Sequence, residues 1–225
     1  GLPKCASTTL QKYFFSKLKS SNYGGLNQGS NLPWSSSFYS YIRLTPSFCI
    51  DYDYAHSLLI KDTLKKPLLI SDEFLTGSIH GKSHLNQYLK IISKCTKNIK
   101  VSSILLVLRE PIDLIHSVYS QLVFEGYTKS FSKYIDECLD KYGDKSLYFI
   151  EFESIAKFIN ENFPSSKLYI LSTKKLFDDK KNSMIFLEKF LDEKFEPNLL
   201  ISKNVSNSST TIGWTDFTRV MPRYN

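Results

Sequence analysis

Residues 101–121 read VSSILLVLREPIDLIHSVYSQ, and their interpretation decides the fold. Positions 104–108 are five apolar residues with no polar alternation. That pattern suits a strand covered on both faces, as at the centre of a parallel sheet. Arg109 closes the run, and Pro111 stands where the first turn of a helix accepts proline, because that turn has no use for the missing N–H. Two further stretches repeat the theme: KPLLISDE (66–73), whose strand would end at Ser71, Asp72 and Glu73, and KLYILST (167–173). A shorter strand is expected over LYFIE (147–151). Helical periodicity fills the intervals at 8–19, 82–97, through IDLIHSVYSQLVFEG, at 131–142 and 153–162, and through NSMIFLEKFLDE. Strands alternating with helices predict an α/β fold: three αβα layers around a central, mainly parallel sheet with right-handed crossovers.

The 225 residues, 42% of them hydrophobic, suffice for one sizeable core, and no repeat or second domain is visible, so 1–225 reads as a single domain. Residues 20–55 differ in composition, being rich in Ser, Asn, Gly and aromatics, and read as a long loop region on the acceptor side of a site. Lys and Arg number 29 against 22 acids, giving +7, a balance that suits anionic ligands, acidic polymers or membrane surfaces. The basic residues are dispersed, and nucleic acid binding is not expected. Cys5, Cys49, Cys95 and Cys138 form no CxxC pair or zinc spacing. No run approaches the ~20 apolar residues of a membrane span, and the start is no signal peptide. Reduced cysteines favour the cytoplasm; the Golgi lumen is the alternative if a membrane anchor was removed, and only there would the sequons at Asn204 and Asn207 matter.

The opening stretch LPKCASTTL (2–10) places a lysine just ahead of Ser-Thr-Thr at a helix start. Free amides, the positive end of a helix dipole, a cation and hydroxyls make a cradle for phosphate-like oxygens. The order differs from the nucleotide-kinase loop G-x-x-x-x-G-K-[ST], because Lys4 precedes the turn. The sole Gly-Lys-Ser, at Gly81, Lys82 and Ser83, would need glycine at 76 and has Thr76. A phosphate loop normally follows a strand, yet only Gly1, Leu2 and Pro3 precede this one; a first strand is expected before residue 1.

The order Pro-Lys-x-[Gly/Ala]-[Ser/Thr]-Thr-[Ser/Thr]-Leu resembles the sulfotransferases that use 3′-phosphoadenosine 5′-phosphosulfate (PAPS). Lys4, Ser7, Thr8 and Thr9 match the phosphosulfate loop; Cys5 fills a variable position, and Ala6 stands where the family often has glycine. The family's 3′-phosphate motif is a strand ending in Arg, then x-Pro, with a serine eight residues after the arginine. Arg109, Pro111, Ser117 and Tyr119 match it, with Ser120 a near neighbour of Ser117. A guanidinium at a strand's C-terminal end can fork onto phosphate oxygens. The late segment LISKNVSNSST is similar to the part that closes over the nucleotide, which makes Lys203, Asn204 and Ser206 candidate ligands, although a plain polar loop reads as well. The resemblance implies a P-loop-like fold with PAPS as co-substrate, PAP (adenosine 3′,5′-bisphosphate) as product, and no required metal.

Transfer of a sulfuryl group to an acceptor hydroxyl needs a base and positive charge at the departing phosphate. The resemblance implies Lys4 for the charge. Glu73 is the expected base, since its strand ends on the edge where α/β sheets bind ligands. Glu73 could instead cap its turn. Asp72, His56, His80 and His84 are lesser candidates, and Cys5 invites a nucleophile reading that no Cys/His signature supports. Trp34, Phe38, Tyr39, Tyr41, Tyr52 and Tyr54 offer faces suited to sugar rings, or to packing against the sheet, and Arg43 could attract an acidic acceptor. Together with the resemblance, these rings make a carbohydrate or glycan hydroxyl the expected acceptor. The alternatives are a P-loop-like kinase with a degenerate loop and a non-catalytic module for an acidic polymer.

Overall fold

The computed structural model describes residues 2, 4–25, 35–76, 87–140 and 147–194. It is a mixed α/β chain in which nine α-helices accompany four short strands among those residues. Helix α1 (Ser7–Tyr13) follows the Lys4–Ala6 turn and stops well before Lys19, because Phe14 leaves helical geometry and a 3-10 turn (Phe15–Lys17) takes over. Phe14 and Phe15 are both buried, with ring centroids 5.8 Å apart in an edge-on pair, so core packing ends the helix early.

Strand β1 (Asn22–Tyr23) pairs in parallel with β2 (Leu68–Leu69). Between them, the region expected as a long loop folds into α2 (Ser37–Leu44) and α3 (Tyr52–Thr63). Each has a side-chain cap. Ser36 Oγ accepts from the Tyr39 amide at 3.0 Å, and Asp51 Oδ1 accepts from the amides of Asp53 and Tyr54. Phe38, Tyr39 and Ile42 have no exposed surface, which is the apolar stripe that makes α2 a helix rather than a loop.

After a 3-10 turn at Glu73–Thr76, helix α4 (Gln87–Cys95) buries Leu89, Ile91, Ile92 and Cys95. The rest of the expected 82–97 helix, residues 82–86, lies outside the described residues. Strand β3 (Ser103–Leu108) pairs in parallel with β4 (Lys167–Ser172) over six residues, from Ser103 opposite Lys167 to Leu108 opposite Ser172. The chain crosses between them through α5 (Pro111–Phe124), α6 (Phe131–Leu139) and α7 (Phe152–Asn162). Pro111 opens α5 as the sequence suggests, and Leu114, Val118 and Leu122 line its buried face at one residue per turn. The expected strand at 147–151 is instead a 3-10 turn, Tyr148–Ile150, with both rings driven into the core. So short an apolar run has no period to distinguish the two. Helices α8 (Thr173–Asp178) and α9 (Lys180–Leu191) finish the described chain.

The strands thus form two separate two-stranded parallel sheets, β1-β2 and β3-β4, rather than one continuous sheet among the described residues. A contiguous set of buried apolar side chains runs from Leu2 through α1, α2, β3 and α5 to α9. No helix among the described residues is long and apolar enough to cross a membrane.

Candidate functional site

Three chain segments end at one place: the Lys4–Ala6 turn, the residues after β2, and the residue after β3. Ser7 Oγ donates a short hydrogen bond to Glu73 Oε1, tying the start of α1 to the turn beyond β2. Gln11, one turn further along α1, donates to the Ser71 carbonyl at 3.0 Å and so fixes the same junction. Arg109 reaches across from the end of β3, its guanidinium 3.4 Å from the Lys4 carbonyl. Lys4 Nζ donates to Gln121 Oε1 of α5 at 2.5 Å. Arg109 thus touches Lys4, and Ser7 touches Glu73, the two pairs being joined by the short Lys4–Ser7 stretch, while Gln11 and Gln121 brace it against the end of β2 and against α5.

The turn carries backbone strain. Lys4 and Ala6 both adopt left-handed geometry, with φ of 60° and 59°, a region costing about 1 kcal/mol for a residue with a Cβ. Ala6 is the residue before the helix, and no side chain caps it. The first intrahelical bond runs from the Leu10 amide to the Ala6 carbonyl, so the amides of Ser7, Thr8 and Thr9 have no acceptor within the helix. Ser7 and Thr9 are buried and Thr8 is exposed. Cys5 is buried within the turn, and burial pushes its thiol up to about 12, against the opposing pull of the nearby Arg109 charge. A thiol so held is no nucleophile at neutral pH.

What these groups can do chemically follows from their charges. Lys4 and Arg109 supply two cations, Ser7 a hydroxyl, and the first turn of α1 free amides, a donor set suited to phosphate-like oxygens. Glu73 is a carboxylate joined directly to this set among the described residues. It accepts from Ser7, so an anion that takes the Ser7 proton must first displace it.

Ser117 sits half-buried on α5, four residues before Gln121 and therefore on the same face, and makes no hydrogen bond among the described residues. Its neighbour Ser120 is committed to the His116 carbonyl at 2.9 Å. Tyr119 donates to the Lys129 carbonyl and packs among Tyr127, Phe131 and Tyr134. The remaining base candidates are accounted for structurally. Asp72 is 4% exposed and accepts from the Tyr39 hydroxyl at 2.6 Å, with Arg43 Nε at 3.3 Å. Burial and the Asp72 charge hold the Tyr39 hydroxyl far above its usual range. His56 Nδ1 lies 2.8 Å from the Cys95 carbonyl and joins α3 to α4. Lys203, Asn204, Ser206, His80, His84 and Trp34 lie outside the described residues.

Fewer of the aromatic rings that the sequence offers for an acceptor lie at the surface than expected. Phe38 and Tyr39 belong to the core, and Arg43 is used internally, against Asp72 and over the Tyr88 ring at 4.8 Å. Tyr41 and Tyr54 form an edge-on pair, centroids 5.0 Å apart, and Lys94 sits over Tyr52. Sequence reasoning missed Gln121 and Gln11. Gln121 had one signal, its position one turn after Ser117; Gln11 had none beyond its place in the first helix. Among the described residues no three His, Cys, Asp or Glu side chains gather as metal ligands would. No family model, no curated protein and no solved structure matches the chain.

Proposed function

We propose that the chain is a PAPS-dependent sulfotransferase of three-layer, P-loop-like α/β type, acting on an acceptor hydroxyl, preferentially of a carbohydrate or glycan. The observation that carries this reading is the linkage of Lys4, Ser7, Glu73 and Arg109 across the ends of separate elements. Residues about a hundred positions apart, picked out in the sequence as two halves of one nucleotide site, share a contact network. In this scheme Lys4 and the free amides of α1 receive the 5′-phosphosulfate, while Arg109 and Ser117 receive the 3′-phosphate. Lys203, Asn204 and Ser206 are further candidate ligands.

The reaction is a single displacement at sulfur. The acceptor oxygen forms a new S–O bond as the bond from sulfur to the bridging phosphate oxygen breaks. Negative charge gathers on the departing phosphate, where Lys4 is the nearest cation of the loop. The acceptor proton passes to Glu73, which must leave Ser7 to receive it. Nucleotide binding and release of the base are then coupled: the phosphosulfate oxygens take over the Ser7 hydroxyl and free the Glu73 carboxylate.

Incubation with sulfur-labelled PAPS and a panel of glycan and small-molecule acceptors tests the reading. Label should pass to at least one hydroxyl acceptor, and Glu73→Gln should lower turnover by about a hundredfold or more while keeping nucleotide binding. Thermal stabilisation by ATP with magnesium, with none by PAP, would sink the sulfotransferase in favour of a kinase. Binding of acidic polymer that fades with salt and ignores PAPS would favour the non-catalytic module.

A further inference from the structure

We propose that the end of the molecule from which the described strands start is a docking surface for anionic lipid membranes, with the Lys4–Ser7 turn held at the opposite end, away from the bilayer. Basic residues dispersed along the chain converge at that end once the strands pair.

The topology brings them together. The ends of β2 and β3 meet at the Lys4–Ser7 turn through Glu73 and Arg109, so these two strands run in the same sense. Strands β1 and β4 follow by parallel pairing. The strand starts therefore share the other end, about 20 Å away over the six residues of β3. Lys19 precedes β1, Lys65 and Lys66 precede β2, Lys97 and Lys100 precede β3, and Lys167 is the first residue of β4. All six are exposed. Lys66 Nζ donates to the Lys19 carbonyl, and Lys65, Lys66 and Lys100 line one cavity, which makes these side chains neighbours across the two sheets.

The charge is not consumed within the fold. Lys167 lies over the Tyr169 ring at 5.0 Å, and none of the six forms an ion pair among the described residues. Of the acids at this end, Asp62 accepts from Ser36 Oγ and the Phe38 amide, and Glu193 accepts from the amides of Lys19 and Ser20, so both are turned toward the protein. Glu161 and Asp192 are exposed, and the C-termini of α3, α4 and α7 bring about half a negative charge each. The lysines outweigh these once Lys17, Lys61 and Lys194 are added.

Apolar side chains among the lysines favour a bilayer over a soluble polyanion. Leu64 is 73% exposed and Ile60 is 44% exposed. They lie one turn apart at the end of α3, which buries Ala55 and Leu59 instead. A phosphate or sulfate polymer has no use for such a pair. A membrane surface takes both kinds of group, the ammonium heads against its anionic headgroups and the apolar side chains between them.

This inference stands on the strand starts and does not depend on the sulfotransferase reading. Co-sedimentation of the full chain with vesicles tests it. The chain should bind phosphatidylcholine vesicles that contain phosphatidylserine, ignore phosphatidylcholine alone, and be released by high salt. Each lysine is worth roughly fivefold, so Lys65→Gln, Lys66→Gln and Lys100→Gln together should weaken binding about a hundredfold. The same charge change at Lys174, Lys180 and Lys181, exposed residues beyond the end of β4, should leave most of it. Leu64→Ser should weaken vesicle binding about tenfold or more and leave retention on heparin unchanged. Absence of binding to phosphatidylserine vesicles, equal binding to neutral ones, or equal losses in the two triple variants would overturn the proposal. Vesicle affinity that Leu64→Ser leaves unchanged would assign the surface to a soluble polyanion and also overturn it.

Discussion

Among the described residues Asp72 is the buried acidic one, and replacing it tests whether its role is structural. Its carboxylate is 4% exposed and is shared by the Tyr39 hydroxyl at 2.6 Å and Arg43 Nε at 3.3 Å. Removing one partner of a buried pair costs about 3–5 kcal/mol. Arg43 and Asp72 have interactions beyond this pair, so the lower end, about 3 kcal/mol, is the better expectation for Asp72→Ala. At about 2–4 °C per kcal/mol for a domain of this length, the midpoint should fall by about 6–12 °C. Arg43→Met should cost a comparable amount, because Met fills the volume but leaves the buried Asp72 carboxylate without its cation. The double variant should be milder than the sum of the singles, with a coupling energy of about 1–3 kcal/mol. Differential scanning calorimetry of the four proteins gives the cycle. A midpoint change under about 2 °C for Asp72→Ala, with additive singles, would refute the assignment and return Asp72 to the list of possible bases.

Three further outcomes follow from the same geometry. Ala6→Gly should stabilise the chain by about 0.5–1 kcal/mol, since glycine accepts the left-handed φ of 59° without a Cβ clash; chemical denaturation reads the gain, and a loss would show that the turn is not strained. Thiol titration at pH 8 should label the exposed Cys49 quickly and leave Cys5, Cys95 and Cys138 for the unfolded state. Burial raises Cys5 from 9.0 to about 12 and Cys95 to about 11, so the stability they contribute is present below pH 9 and is lost as pH rises through those raised values. Alkaline denaturation that was delayed by Cys95→Ser, with no earlier loss of structure, would agree with this sign; insensitivity of the midpoint to pH between 9 and 11 would not.

The strand-turn-helix from β3 into α5 was legible because three independent signals coincide there: an unbroken apolar run, a terminal Arg109 and a proline at the first helical position. Lys4, Ser7, Glu73 and Arg109 were also nameable, since each stands at the end of a recognisable element. Helices α2 and α3 were not, because their Ser-rich and aromatic composition masks a short apolar stripe; the caps Ser36 and Asp51 carried the signal that composition hid. The buried use of Arg43 and Asp72 depends on α2 packing beside the end of β2, a tertiary event with no local trace. Gln121 becomes visible only when α5 is seen to run past the Lys4 side chain. The division of the strands into two half-sheets was equally hidden, since residues 68–71 and 103–107 read as core strands whatever lies between them.

The central claim is that Lys4 and Arg109 serve one nucleotide, and calorimetric titration with PAP tests it most directly. The account predicts one-to-one binding by the unaltered chain. Arg109→Ala and Lys4→Ala should each weaken it by about ten- to a hundredfold, the equivalent of one charge-assisted contact, and ATP with magnesium should not substitute. Absence of PAP binding, or binding that both variants leave unchanged, would contradict the account.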